Sequence, residues 1–131
     1  MSSPHSRSCS GLFQACPDDF DLGHDVLQIE GRHDIFGDGS VLCIPTPGHT
    51  SGHQSLRVNL NSGPVVLTGD CVYWQEVLEK MLLPPFGYDH EMQLSSMRHL
   101  KALQDEEGCT LLFGHDATQW AKLDRSPAGL T

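Results

Sequence analysis

Three short apolar runs in this chain each break at a glycine that is followed at once by a side chain able to hold a cation. VLCIPT runs through Pro47 and Gly48 into His49, PVVLT through Gly69 into Asp70, and TLLF through Gly114 into His115. Apolar and β-branched runs bounded by such turn signals read as short strands, and a glycine lets the backbone turn sharply where the strand stops. In α/β architectures functional groups collect beyond the carboxyl ends of strands. The pattern therefore calls for a fold in which three strand ends share one edge. Two imidazoles and a carboxylate suit a hard or borderline divalent cation such as zinc. Any one of the three, taken alone, is more readily an ordinary turn residue. Their repetition in one order carries the argument.

The rest of the chain supplies elements to frame such an edge. Strand-like runs are expected at VLQIE (26–30), SVLCIPT (40–46), HQSLRVNL (53–60) and PVVLTGD (64–70), separated by the turn signals Gly37-Asp38-Gly39 and Asn61-Ser62-Gly63. VYWQEVLEKM then reads as a short helix ended before Pro84-Pro85. From Asp89 to Glu107, Met92, Met97, Leu100 and Leu103 recur at helical intervals and predict an amphipathic helix with those residues in the core. Asp89 is placed to cap its start and Gly108 to close its end. TLLF (110–113) is a buried strand, and DATQWAKL adds a terminal helical turn. Residues 1–15, Ser-rich and without hydrophobic period, read as a flexible lead-in, which leaves 16–131 as the folded domain.

At 131 residues one modest domain is expected. The net charge of −9, with eight Lys and Arg scattered along the chain, argues against nucleic acid or an anionic membrane as partner. A small molecule is the expected partner. No apolar run is long enough to span a bilayer and the amino terminus lacks the apolar stretch of a secretory signal, so a cytoplasmic location is expected. Five cysteines, an odd number with no C-x-x-C pair, indicate reduced thiols rather than a disulfide framework or a zinc ribbon.

The string TPGHTSGHQSL, followed by VVLTGDCVY and LLFGHD, resembles the later half of the metallo-β-lactamase superfamily. With the loop LLPPFGYDHE and the helix LSSMRHLKAL, the combination is most similar to N-acyl homoserine lactonases, over about Asp25 to Trp120. The resemblance implies an α/β (α+β) fold, half of an αβ/βα sandwich with a mixed sheet flanked by helices. Residue by residue, His49 corresponds to the histidine completing the first metal's shell and His115 to the one completing the second. Asp70 corresponds to the carboxylate bridging the two metals, and Tyr73 to the phenol that meets the substrate's carbonyl region. His53 and Asp116 are expected to support these ligands from behind, Asp116 by orienting His115. Leu83 and Phe86 either wall the acyl chain of a substrate or simply cover the core, and Tyr73 has a packing role as its alternative. The implied cofactors are two divalent metal ions, zinc foremost, and the implied reaction is metal-dependent opening of a lactone ring. Cys71, beside Asp70, reads as a small buried hydrophobe.

The resemblance also implies an H-x-H-x-D-H string that supplies most remaining ligands, and these 131 residues do not contain it. Gly23-His24-Asp25 and Arg32-His33-Asp34 lie in the wrong place with the wrong spacing. One histidine per metal and a shared aspartate are too few for zinc, which takes three or four protein ligands. The expectation is therefore a lactonase-type metallohydrolase, incomplete as this chain, that requires a complementary chain or a homo-oligomer. The absent half would take a partner sheet with it, so the apolar face of the strands is expected to lie open and drive association. The alternatives are a non-catalytic remnant or protein-interaction module, or a thioester or other ester hydrolase on the same scaffold.

Overall fold

Short turns make neighbours of successive strands. In the computed structural model, which describes residues 25–124 together with Gly23 and Gly129, five strands lie side by side in sequence order. They are β1 (His33–Asp34), β2 (Val41–Pro45), β3 (Gln54–Leu60), β4 (Gly63–Leu67) and β5 (Thr110–Leu112). The first four are antiparallel; β5 pairs parallel to β4. At the tightest connection Asn61 and Ser62 turn the chain so that Leu60 pairs with Gly63. A parallel pairing needs a long crossover, supplied here by the segment that carries α1 (Gln75–Glu79) and α2 (His90–Glu107); α3 (Ala117–Lys122) follows β5. The lead-in expected over 1–15 lies outside the described residues.

Helix α2 organises the core. The Asp89 carboxylate accepts the Met92 amide at 2.8 Å, and Gly108 closes the helix in the left-handed conformation at φ 67°. Its buried face consists of Gln93, Ser96, Met97, Leu100 and Leu103. Met97 and Leu100 pack with Ile44, Val66, Leu78, Leu111 and Phe113, each fully buried aliphatic side chain contributing roughly 1.5–3 kcal/mol. An Arg57–Glu107 ion pair ties the far end of α2 to β3. Met92, expected in this stripe, is 40% exposed. Met97, Leu100 and Leu103 are buried as expected, and at the first position of the stripe Gln93 takes the inward place instead of Met92.

Elsewhere the backbone departs from the sequence pattern for local reasons. VLQIE forms no strand: residues 25–30 pair with nothing regular, Val26 and Leu27 are exposed, and the sheet begins instead at His33. Asp34 accepts the amides of Gly37 and Gly39, making the turn that feeds β2. Strand β4 stops at Leu67, the last residue paired with β5. From there the Thr68 hydroxyl bonds the Leu112 and Val72 carbonyls, and Gly69–Cys71 form a single 3-10 turn. The helix expected over 72–81 is confined to α1, because Met81 adopts a left-handed backbone (φ 49°) and stops it before the prolines. The sheet face turned away from α2, expected to lie open, is mixed: Cys43, Val65 and Leu112 are buried there, Val41, Leu56 and Val58 half-buried, and Pro45 and Leu67 exposed. No helix among the described residues is long and apolar enough to cross a membrane.

The same helix makes opposite demands on two of its apolar side chains. Leu100→Ala should lower the free energy of unfolding in urea by about 2–5 kcal/mol, whereas Met92→Ala should change it by less than about 0.5 kcal/mol. Equal losses would place both residues in the core.

Candidate functional site

Two glycines set the distances on which the site is built. Gly48 (φ 140°) is buried so closely under α2 that a Cβ there would lie 2.3 Å from the backbone of Gln93. The Gly48 carbonyl accepts the amides of Tyr88 and Asp89, both at 2.9 Å, and the Ser96 hydroxyl donates to the Pro47 carbonyl at 2.8 Å. The turn carrying His49 is thus clasped by the start of α2. Gly69 (φ 57°) does the same for Asp70, since a Cβ there would fall 2.8 Å from His53 Nε2. His115 follows β5, an edge strand whose free side is bonded by Gln119: its Oε1 accepts the Phe113 amide and its Nε2 donates to the Leu111 carbonyl, both at 2.8 Å.

These supports bring His49, Asp70 and His115 together around one carboxylate. His115 Nε2 donates to Asp70 Oδ1 at 2.8 Å, and His49 Nε2 stands 3.5 Å from Oδ2. The carboxylate is 47% exposed, so the pairs open to solvent. Tyr73 sets its ring edge-on to His115, with centroids 4.7 Å apart, and 6.4 Å from the His49 ring. Burial, followed by the charge of Asp70, raises the Tyr73 pKa, which keeps its phenol protonated and able to donate. The Phe86 ring stands edge-on to His49 with centroids 6.3 Å apart, while Leu83 packs against the core.

Behind the carboxylate lies a polar chain whose protons can be assigned from its partners. The Asp70 amide can only donate, so His53 Nε2, 3.0 Å away, accepts. The Ser55 hydroxyl donates to the Thr68 carbonyl at 3.1 Å, which leaves its oxygen to accept the Thr46 hydroxyl at 2.8 Å. With the Thr46 proton committed, His53 Nδ1 must donate to Thr46, to its hydroxyl at 2.9 Å and its carbonyl at 3.1 Å. His53 is therefore a neutral imidazole protonated on Nδ1, with both nitrogens engaged away from the cluster. Thr46, Ser55 and Thr68 are all buried, and the chain joins the ends of β2, β3 and β4.

Asp116, expected to orient His115, instead has Oδ1 accepting the Gln119 amide at 2.9 Å and so caps α3. Cys71 is buried and its thiol is pushed up to about 12, which leaves it inert beside Asp70. Sequence reasoning missed Gln93 and Gln119. The spacing of Gln93, one helical turn before Met97 and two before Leu100, is the signal that could have found it.

The donor set of two imidazoles and a carboxylate fits a divalent cation in chemistry but not in number. The imidazoles address different oxygens of Asp70, making two histidine–carboxylate pairs with one shared member. Among the described residues no group of three or more His, Cys, Asp or Glu side chains is arranged to hold a metal ion.

Residues 14–115 match the sequence model of the metallo-beta-lactamase superfamily, and the chain belongs to that superfamily. Within it the chain is similar to N-acyl homoserine lactonases. It is 38% identical over 96 residues to N-acyl homoserine lactonase AttM of Rhizobium radiobacter, a match covering 72% of this chain and 36% of that protein. It is 42% identical over 92 residues to an N-acyl homoserine lactonase of a Bacillus species, covering 70% and 36%. Its fold matches that of an N-acyl homoserine lactone hydrolase solved with N-hexanoyl-L-homoserine at its catalytic metal centre. There the TM-score is 0.63 at 38% identity, over 71% of this chain and 36% of the other. The mixed sheet with helices is thus that of the metallo-beta-lactamase fold. The chain spans little more than a third of the length of these relatives, and membership of the superfamily implies use of a divalent metal.

Burial holds the His53 pKa below its ordinary 6.5, against the Thr46 hydrogen bond and the Asp70 charge, which raise it, and with the nearby His49, which lowers it. Unfolding releases His53 to take up a proton near 6.5, so its stabilising effect is complete above that pH and is lost as pH falls below it through the lower folded value. The urea midpoint should therefore drop between pH 7.5 and pH 5 (about one unit either side of 6.5 or more), and the drop should be smaller in His53→Gln. An identical pH dependence in the two chains would remove His53 as its source.

Proposed function

We propose that this chain carries one side of a two-metal centre that opens the lactone ring of N-acyl homoserine lactones. The observation that carries the reading is the single Asp70 carboxylate held between His49 and His115, with the Tyr73 ring edge-on to His115. It gains support from a fold and sequence similar to a hydrolase solved with an acyl-homoserine product at its metal centre.

In this reading His49 and Asp70 would hold one ion, and Asp70 and His115 the other. Zinc is the proposed metal, since imidazole and carboxylate are among its usual ligands. Further ligands come from residues other than those described, on a complementary chain or another segment. When bound, such ions supply Lewis acidity and bring the pKa of a water to roughly 7. The chain's own residues do the rest. Tyr73, protonated at neutral pH, donates toward the lactone carbonyl oxygen as negative charge develops on it, the role of an oxyanion-hole donor. Phe86, edge-on to His49, offers an apolar surface to the acyl chain. His53 holds the Asp70 backbone through its amide, so the carboxylate stays between the two histidines. Water adds to the carbonyl carbon, the ring carbon–oxygen bond breaks, and an N-acyl homoserine leaves with the former ring oxygen as a hydroxyl.

The test is metal content by elemental mass spectrometry after dialysis against trace zinc, alone and with a metal-ligand-bearing complementary segment, followed by assay of lactone opening. Zinc retained by the chain and lost in His49→Ala/His115→Ala, with Asp70→Asn abolishing ring opening and Tyr73→Phe slowing it by about 10²-fold, is the expected result. Retention unaffected by the double substitution would overturn the reading.

A further inference from the structure

Strand β5 lies at the edge of the sheet, and a sheet edge leaves backbone groups in need of partners. Here the Leu111 carbonyl, the Phe113 amide and the Phe113 carbonyl are all taken by side chains of α3. Gln119 supplies two of the bonds, Nε2 donating to the Leu111 carbonyl and Oε1 accepting the Phe113 amide, both at 2.8 Å. The Trp120 indole supplies the third, donating to the Phe113 carbonyl at 2.6 Å. A side-chain amide thus stands where a sixth strand would. We propose that Gln119 is a positioning residue for His115, fixing the backbone on both sides of that histidine so that its ring reaches Asp70. As a role in catalysis this rests on the two-metal reading; as an account of where His115 stands it does not.

Three features of the chain lead there. The first is a capping pattern left half-made. Asp116-Ala117-Thr118-Gln119 has the spacing at which a glutamine side chain ordinarily returns to the amide of the capping residue. The forward bond is present, with Asp116 Oδ1 accepting the Gln119 amide at 2.9 Å, but both polar atoms of the Gln119 side chain are turned to β5 instead. The second is the attachment of α3. None of its six residues is buried, and among the described residues its hydrogen bonds to the sheet come from Gln119 and Trp120. So short a helix, without a buried apolar face, keeps its place through those bonds. The third is His115 itself, whose side chain is 56% exposed and meets Asp70 Oδ1 at 2.8 Å and the Tyr73 ring with centroids 4.7 Å apart. An exposed pair contributes too little to hold its own loop, and Gly114 before it is free to turn. The place of the ring is therefore inherited from its neighbours. Phe113 on one side and Asp116 on the other are both bonded to Gln119.

Gln119→Met removes both side-chain bonds while keeping the length of the side chain. The full chain without added metal is examined by NMR, through amide hydrogen exchange and through cross-peaks between ring protons. The unsubstituted chain should show a protected Phe113 amide and His115–Tyr73 cross-peaks. In Gln119→Met the Phe113 amide should exchange about 10-fold faster or more and the His115–Tyr73 cross-peaks should be lost. The His49–Phe86 cross-peaks and the exchange rates of β2, β3 and β4 should stay as they were, and Thr118→Ala, on the same helix, should change nothing. His115–Tyr73 cross-peaks that persist in Gln119→Met overturn the proposal, as does an unprotected Phe113 amide in the unsubstituted chain. Loss of protection across β2, β3 and β4 also overturns it, since Gln119 would then hold the sheet rather than the histidine. With a metal-ligand-bearing complementary segment present, Gln119→Met should bind zinc about 10-fold more weakly, and equal affinity in the two chains would overturn the role. A chain that binds no zinc with or without the substitution counts against the two-metal reading and leaves the metal-free spectra to decide the position of His115.

Discussion

The backbone of Gly48 lies against the backbone of Gln93 with no room for a methyl group between them, and much of the structure follows from that contact. It seats the start of α2 directly on the turn that ends β2. The same helix covers the sheet through Met97 and Leu100, so the hydrophobic core and the position of His49 are set by one rigid body. A helix held a methyl's width further out would loosen the core and carry the clasp on residues 47–49 away with it. Packing density, rather than any polar contact, is what makes this geometry stiff.

Against that apolar scaffold the polar groups divide into two layers. The outer one, Asp70 with His115 and the more buried His49, opens to solvent. The inner one, running from the Asp70 amide through His53, Thr46 and Ser55 to Thr68, is buried and saturates its own donors in one direction. A buried chain of this kind is costly if any member is left unmatched, and here the direction of every proton is dictated by its neighbours. The consequence for chemistry is a division of labour between two histidines four residues apart. His53 has both nitrogens committed to the protein, while His49 keeps one facing the carboxylate. Their positions in the string GHTSGH do not distinguish them; their hydrogen-bond partners do.

Much of this arrangement was legible in the sequence. The three glycine-ended apolar runs, the capping of α2 by Asp89 and Gly108, and the juxtaposition of His49, Asp70 and His115 follow from local patterns that tertiary structure reinforces. The misreadings arise where tertiary structure overrides local pattern. VLQIE has the composition of a strand but no neighbour to pair with, because the turn built on Asp34 starts the sheet later. Met92 fits the helical period but lies one step outside the arc that faces the sheet. Gln93 was invisible because a polar residue beside an apolar stripe is ordinarily read as its solvent edge. Asp116 was credited to His115 by proximity in sequence, though the start of α3 has first claim on its carboxylate. Chain adjacency says little about where a carboxylate finds its donor.

The order of the strands also bears on how the site comes together in time. Strands β1 to β4 form a meander in which each pairs with its successor, so the loops to be closed are short. Strand β5 can join only after the chain has run through α1 and α2 and back to β4. Contacts between residues distant along the chain are slow to form because the entropy of closing the loop comes first. His53 and Asp70 belong to the meander and the turn that ends it, whereas the turn carrying His49 is clasped only once α2 seats on Gly48, and His115 follows the strand that joins after α2. Neither histidine–carboxylate pair is thus a product of local folding: the one on Oδ2 waits for the helix and the one on Oδ1 for the closing of the sheet.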